Sequence, residues 1–478
     1  MKRRCDLLII GAGFAGSLLA LVAARLGLQV IVVDKARHPR FVIGESTTPL
    51  TNLLLEQLAH EQDLPELLGF TEWGRWQQTY NQIPVGLKRG FTFLHHRAGQ
   101  YCDASREAQL LVAASPNNTL ADTHWFRAAF DQKLMELARA RGATFFTGAT
   151  VLAFKPEQVQ ISIEAEDEQL ELEAPFLVDA SGARGFLFQR LELQEADIPH
   201  MPSHSALFTH FTNVPPLSAG LFEHGAPYPP EDAAVHHLFE GGWVWSLCFN
   251  NGLVSAGISA EESFARELRL HEGHAGWNRL LARFPTLAQQ LQGATPVQPF
   301  HFQPKLSFRS QVMIGPRWAM LPSAAGFLNP LLSTGFPLTL LGIRRMVTLL
   351  QALPEVPPQS LKQYAEDCAH DFNAAGLLTS AMLRRADDFD AFAQLSLLYF
   401  ASSIWAETQV RAGGLEWLYR FPLGRAPFWP GAQSICQASL ARKLSAKELQ
   451  AQVQALIEPY DIAQLTRPEK RNWHPFPS

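Results

Sequence analysis

The chain has 478 residues, 47% of them apolar and 18% charged, with a formal net charge of −5. Such figures describe a folded protein of two or three domains sharing a large core. No Lys/Arg cluster stands out, which argues against nucleic acid or an anionic membrane as the main partner. The cysteines at 5, 102, 248, 368 and 436 are scattered and lack CxxC spacing. Neither a disulfide framework nor a zinc site is expected, no metal is assigned, and a reducing, cytoplasmic setting fits.

Lys2, Arg3 and Arg4 followed by an apolar run imitate a secretory leader, but Asp6 opens that run and three glycines interrupt it. The expectation is instead a folded β-α-β unit over 5–34. "CDLLIIGAGFAG" reads as a buried strand entering a glycine turn, "SLLALVAARLG" as a helix stopped at Gly27, and "LQVIVVD" as a second buried strand. A loop and a helix over about 50–60 follow, then strand-like residues 79–96 with glycine breaks. A helix is predicted over 123–142 and a strand in "APFLVDASG". Segments 203–213, 235–249 and 252–259 read as antiparallel strands. Residues from about 360 onward are helical in pattern, for example 389–409. No other stretch has the roughly 18 unbroken apolar residues that cross a bilayer.

The expected fold class is therefore mixed α/β. A doubly wound nucleotide-binding domain is assembled from 1–60, 125–190 and 300–355. It is interleaved with an antiparallel-sheet substrate domain from 61–124 and 191–299, and a helical region fills 356–478. A ligand held by the first domain is then buried against the second.

Gly11, Gly13 and Gly16 form GxGxxG between strand and helix, with Ala15 inside the motif. The glycines permit the tight turn, the approach of a pyrophosphate and close helix packing, and the helix N-terminus faces the phosphates. Asp34 ends the second strand, where an acid accepts ribose hydroxyls. This fingerprint leaves NAD and FAD both open.

Later segments resemble flavoprotein hydroxylases and halogenases. "FLVDASGARG" is similar to the Asp-x-x-Gly strand end of that superfamily, with Asp179 and Gly182, and "HWFRAAFDQKL" to its Arg-bearing helix, with Arg127. "WAMLPSAAGFLNPLLSTG" resembles the segment along the flavin, including Gly326 and Phe327, although Pro322-Ser323-Ala324-Ala325 replaces the usual Gly-Asp-Ala-Ala of the hydroxylases. Three stretches resemble flavin-dependent halogenases specifically. "HPRFVIGESTTP" carries their Gly44-Glu45-Ser46 loop, "GLKRGFTFLHH" the Lys-x-Gly-x-x-Phe of the branch acting on phenols, and "NPLLSTG" the halide loop.

The resemblance implies FAD, used as FADH2, held by the fingerprint residues, Lys35, Arg40, Gly44, Glu45, Ser46, Arg127, Asp179, Gly326 and Phe327. Chloride or bromide would lie at Ser333, Thr334 and Gly335 and become hypohalous acid through a flavin hydroperoxide. Lys88 is the implied catalytic lysine, either hydrogen-bonding the hypohalous acid or forming a haloamine; taken alone, it reads as a surface lysine. Phe91 and one of His95 and His96, with His95 the candidate, would line the substrate pocket. Leu332 stands where tryptophan halogenases carry a glutamate, which argues against free tryptophan; the resemblance to the phenol-acting branch implies a small electron-rich aromatic, a phenol, free or carrier-bound. A separate NAD(P)H-dependent flavin reductase is the expected partner. A hydroxylating FAD monooxygenase and a non-catalytic flavin-binding protein remain alternatives.

"GGWVWSLCF" resembles the halogenase signature Trp-x-Trp-x-Ile-Pro through Trp243 and Trp245, the tunnel wall. Cys248 replaces its proline and is expected to be buried and inert.

Overall fold

A computed structural model describes residues 2–166, 168–217, 221–222 and 225–477. The apolar runs Leu7–Ile10 and Val30–Asp34 are buried along their whole length, as parallel strands covered on both faces must be. Among the described residues they lie within a six-stranded sheet ordered Ile314–Gly315, Trp318–Met320, Phe176–Asp179, Leu7–Ile10, Val30–Asp34 and Thr144–Thr147. All neighbours are parallel except the first pair. Alternation along each strand sorts its side chains. Leu7, Ile9 and Val32 join a core with helices Phe14–Arg25, Arg127–Ala140 and Gly335–Gln351. Leu8, Ile10, Ile31 and Val33 instead meet a smaller sheet through Ile161, Ile163, Leu170 and Leu172.

The second large sheet is antiparallel along His204–Thr212, Val254–Glu261, Gly242–Cys248 and Ala234–Phe239. Gly90–His95 then joins parallel and Gln109–Ala113 antiparallel. Trp243, Trp245, Phe91 and Phe93 project from its inner face into the same core as the nucleotide-fold helices. Val244 and Ile258 project outward onto helix His274–Arg283. The two Trp rings thus stand at the junction of the two sheets.

Four sequence expectations shift. Residues 123–142 are not one helix: Asp122–Trp125 is a strand paired with Val85–Lys88, and the helix begins at Arg127. The β-branched and aromatic Thr123-His124-Trp125 suits a pleated ladder. Residues 235–249 fold as a hairpin, turned at Glu240-Gly241 with Gly241 at φ +87°. Strand structure within 79–96 starts only at Val85. The helical C-terminal region also ends in a strand, Trp473–His474, added beside Gln109–Ala113. Among the described residues, no helix is long and apolar enough to cross a membrane.

Candidate active site

The glycine turn is built to leave its backbone bare. Gly11 has φ +104°, and a Cβ there would sit 2.6 Å from the Ala180 carbonyl oxygen. A Cβ on Gly16 would lie 1.8 Å from the Gly11 oxygen, so only glycine lets helix Phe14–Arg25 pack this closely on the turn. Ala15, in its first turn, is buried. No side chain caps this helix at Gly13, so its first N–H groups are available to phosphate oxygens. Asp34 accepts the Ala12 N–H at 2.6 Å and the Ala36 N–H at 2.8 Å, and Arg40 lies 3.6 Å from it. Lys35 is exposed.

Around this cradle His38 Nδ1, Arg40 Nε and Ser46 Oγ are buried without a protein partner. Buried polar groups are rarely left unpaired, so the cradle fits a polar, phosphate-bearing group such as a dinucleotide. Arg127 fixes the neighbouring loop: it forms a bidentate pair with Asp131, at 2.7 and 2.9 Å, and donates to the Ile43 and Gly44 carbonyls at 3.2 and 2.9 Å. Glu45, buried in that loop, meets His210 Nε2 at 2.9 Å. Asp179 is committed to its own turn, accepting from Ser181 N, Ser181 Oγ and Leu187 N. Gly326 and Phe327 form a short ladder with Phe308 and Arg309. A Cβ on Gly326 would strike the Phe372 ring at 2.6 Å.

The 330–335 loop has the geometry of an anion nest. Ser333 is left-handed at φ +53°, Thr334 right-handed at φ −77°, and helix Gly335–Gln351 starts there without a side-chain cap. Successive N–H groups in such an alternation converge on one point, and the space around Gly335 Cα is open.

Trp243 and Trp245 have ring centroids 5.8 Å apart. Trp243 Nε1 donates to Asn329 Oδ1 at 3.2 Å, which ties it to the segment leading into the nest. Trp245 lies over Gly257, where a Cβ would come within 2.4 Å of its ring. From Trp243 a row of rings runs through His236 (5.0 Å) to Phe93 (4.7 Å) and Phe91 (5.8 Å). Burial pushes His236 down to about 3, so this imidazole is neutral in the neutral pH range.

The row ends at Lys88, which is 0% exposed. Its Nζ lies 3.9 Å from the Phe91 ring centroid and donates to the Thr47 carbonyl. The surface-lysine alternative is thereby removed. Lys88 is paired in register with Asp122, and directly opposed antiparallel residues project to the same side of the ladder. Burial pushes the lysine down to about 7, against the pull of Asp122, and pushes Asp122 up to about 8, against the pull of Lys88. Two groups so placed titrate as a pair that shares one proton between those values. His95 lies on the same face of its strand as Phe91 and Phe93 and stacks on Phe389 at 5.3 Å. His96 lies on the opposite face, bonded to His237 at 2.9 Å.

Sequence reasoning missed Asp122, His210, Asn329 and Tyr399. Asp122 lies just before the stretch 123–142 that reads as a helix, and nothing in its local pattern marks it. Tyr399 sits in an apolar helix stripe and carries no local signal, yet its hydroxyl reaches the Leu332 carbonyl at 3.2 Å and its ring lies 6.3 Å from Phe91. Cys248 is exposed rather than buried, because it ends its strand where the inward alternation stops. Desolvation by the surrounding chain, helped by Glu231 and Asp232, pushes its thiol up to about 11. No group of side chains suited to a metal ion occurs among the described residues.

A family model described as FAD dependent oxidoreductase matches residues 6–305. Over 356 residues the chain is 28% identical to monodechloroaminopyrrolnitrin halogenase of Pseudomonas fluorescens, covering 73% of this chain and 62% of that protein. It is 30% identical over 347 residues to tetracycline 7-halogenase of Kitasatospora aureofaciens, covering 70% of this chain and 61% of that one. The chain thus spans about three fifths of these curated relatives. The fold matches the crystal structure of halogenase PltM, with a TM-score of 0.88, 22% identity, and 99% and 100% of the two chains covered. A PltM structure in complex with phloroglucinol and FAD matches with a TM-score of 0.84 at 21% identity, covering 98% of each chain.

Proposed function

The chain belongs to the FAD-dependent oxidoreductase family, and from that premise we propose that it is a two-component halogenase that chlorinates or brominates an electron-rich aromatic, a phenol. A separate NAD(P)H-dependent reductase delivers FADH2. The observation that carries this reading is Lys88, a wholly buried lysine at the end of an aromatic row. Burying an ammonium costs several kcal/mol, on the order of other buried charges, and such a group is a candidate for chemistry when its proton affinity is also shifted.

FAD fits the cradle of Gly11, Gly13, Gly16 and Asp34, with Arg40 and Ser46 offering the polar atoms that lack partners. Bound and reduced, it supplies the electrons and oxygen chemistry that convert halide to hypohalous acid. The Thr334 and Gly335 amides hold the halide, and the open nest keeps it accessible. Trp243 and Trp245 fill the junction between the sheets, so an organic ring is kept from the cofactor while a small acid passes. Lys88, as ammonium, donates to the oxygen of hypohalous acid and makes the halogen more electrophilic. A phenol is the substrate class suggested by the PltM complex.

The test incubates the protein with FAD, a flavin reductase, NADH, bromide and a phenol panel, and reads product masses. The expected result is the bromine isotope doublet. Oxygen insertion without bromine would make the protein a hydroxylase instead.

A further inference from the structure

The register of the antiparallel sheet gathers three polar groups inside an otherwise apolar face. Trp243 stands directly opposite Ser259, and Ser259 stands opposite Ala206, two residues from His204. Opposed antiparallel residues share a face, as do alternate residues along a strand. His204, Ser259 and Trp243 therefore lie together on the inner face, and all three are buried. One residue from outside the sheet joins them. Asn329, 1% exposed, accepts from Trp243 Nε1 at 3.2 Å. Its Nδ2 donates to Ser259 Oγ at 2.8 Å and lies 3.3 Å from His204 Nδ1.

Donor and acceptor chemistry fixes how this amide lies. An indole N–H only donates, so Asn329 Oδ1 faces Trp243 and Nδ2 faces Ser259. The Ser259 hydroxyl is then free to donate to His204 Nδ1 at 2.8 Å. Burial, with Arg384 adding to it, pushes His204 down to about 4, so the imidazole is neutral and can accept. Each bond orients the next, and an apolar side chain at 329 would leave the Trp243 N–H buried without an acceptor.

Asn329 is also the residue that leads into the 330–335 loop. The ring of Pro330 sets its φ. The Ser333 N–H returns to the Pro330 carbonyl at 3.0 Å, and Leu331 and Leu332 are buried. One closed, packed turn thus separates Asn329 from the left-handed Ser333. A shift at Asn329 is carried into the nest rather than absorbed on the way.

We propose that Asn329 is a positioning residue, whose amide clamps the Trp243 wall to the 330–335 loop so that the seating of the indole and the halide affinity of the nest are coupled. The proposal rests on the halogenase reading above. Asn329 acts through the loop, by holding the Ser333–Gly335 amides convergent, and not on the halide itself. The N–H of an indole on the antiparallel sheet thereby supports a halide site on the nucleotide-fold side of the junction.

The experiment compares wild type, Trp243→Phe, Asn329→Leu and the double variant in two readouts. Trp243→Phe keeps a ring in the wall and removes the N–H. Hydrogen exchange read by mass spectrometry needs neither FAD nor turnover. Peptides spanning the 330–335 loop should exchange about 2- to 10-fold faster in each single variant, as loss of one hydrogen bond allows. The peptide carrying the Gly11–Gly16 turn should exchange as in wild type. In bromination with the complete reductase system, the bromide KM should rise about 2- to 10-fold in Trp243→Phe and at least as much in Asn329→Leu. The phenol KM of Asn329→Leu should stay close to wild type. Both substitutions break the same bond, so the double variant should be no worse than Asn329→Leu alone. FAD titration checks folding, and Ser259→Ala, which removes the acceptor of Nδ2, takes the place of Asn329→Leu if that variant does not fold. Unchanged loop exchange or an unchanged bromide KM in Trp243→Phe would overturn the proposal, as would additive effects in the double variant. Equal rises in the two KM values of Asn329→Leu would mean a general loosening and overturn it too. A wild type that forms no bromophenol, while loop exchange responds as stated, would overturn the halogenase reading and the halide role with it.

Discussion

Lys88 and Asp122 oppose folding because burial holds each in a protonation state that it would leave in water. Asp122 has its proton affinity raised by burial, so the folded state holds a proton that the unfolded chain has released, and stability falls as pH rises from about 4 toward 8. Lys88 is lowered, so below its unfolded value the unfolded chain binds the extra proton, and stability recovers only as pH rises from about 7 toward 10.5. The combined penalty is greatest between about pH 7 and 8. The double variant Lys88→Met/Asp122→Leu should therefore be inactive but more stable, by about 1–4 kcal/mol as for other buried ion pairs replaced by apolar residues. Its gain in Tm over wild type should peak in that window, as thermal melts across pH 5 to 10 will measure. At the same scale, Cys248 is the exposed cysteine and the other four are buried. Titration with a chromogenic disulfide reagent under native conditions should modify one thiol, slowly near pH 7 and faster toward pH 10, and Cys248→Ser should abolish that signal.

The glycine turn and its flanking strands were legible in the sequence because their chemistry is local. Gly11, Gly13 and Gly16 are required by a positive φ or by close approaches within a few residues. The strand Asp122–Trp125 was not legible, since its reason for being extended is a partner, Val85–Lys88, more than thirty residues earlier in the chain. Helix Phe389–Arg411 was expected as a helix but not as part of the site. Its Tyr399 bonds to the Leu332 carbonyl and so fixes one end of the anion nest. Tyr399→Phe removes a hydrogen bond worth about 0.5–1.5 kcal/mol. The expected outcome is a rise in the bromide KM of about 2- to 10-fold with the KM for the phenol little changed, measured by bromide titration of the bromination rate. A bromide KM equal to wild type would show that this helix does not support the nest.

Across the whole molecule, one continuous core is shared by the parallel sheet's helices, the inner face of the antiparallel sheet and the C-terminal helices. This arrangement seats Trp243, Asn329 and the nest on one side of the aromatic row, with Phe91, Lys88 and Asp122 at its other end. What the sequence left hidden is pairing over long distances: the register of Lys88 with Asp122 and the contact of Glu45 with His210 join segments far apart in the chain. On the proposed function, the separation of the two ends is the physical reason for dividing the work between making hypohalous acid and using it. Parallel measurement of the two steps in Lys88→Ala tests that division most directly. Free hypobromous acid is trapped by a small scavenger while bromophenol is counted by mass. Persistence of trapped hypobromous acid with loss of bromophenol is the predicted result. Bromophenol formed at the wild-type rate would contradict it.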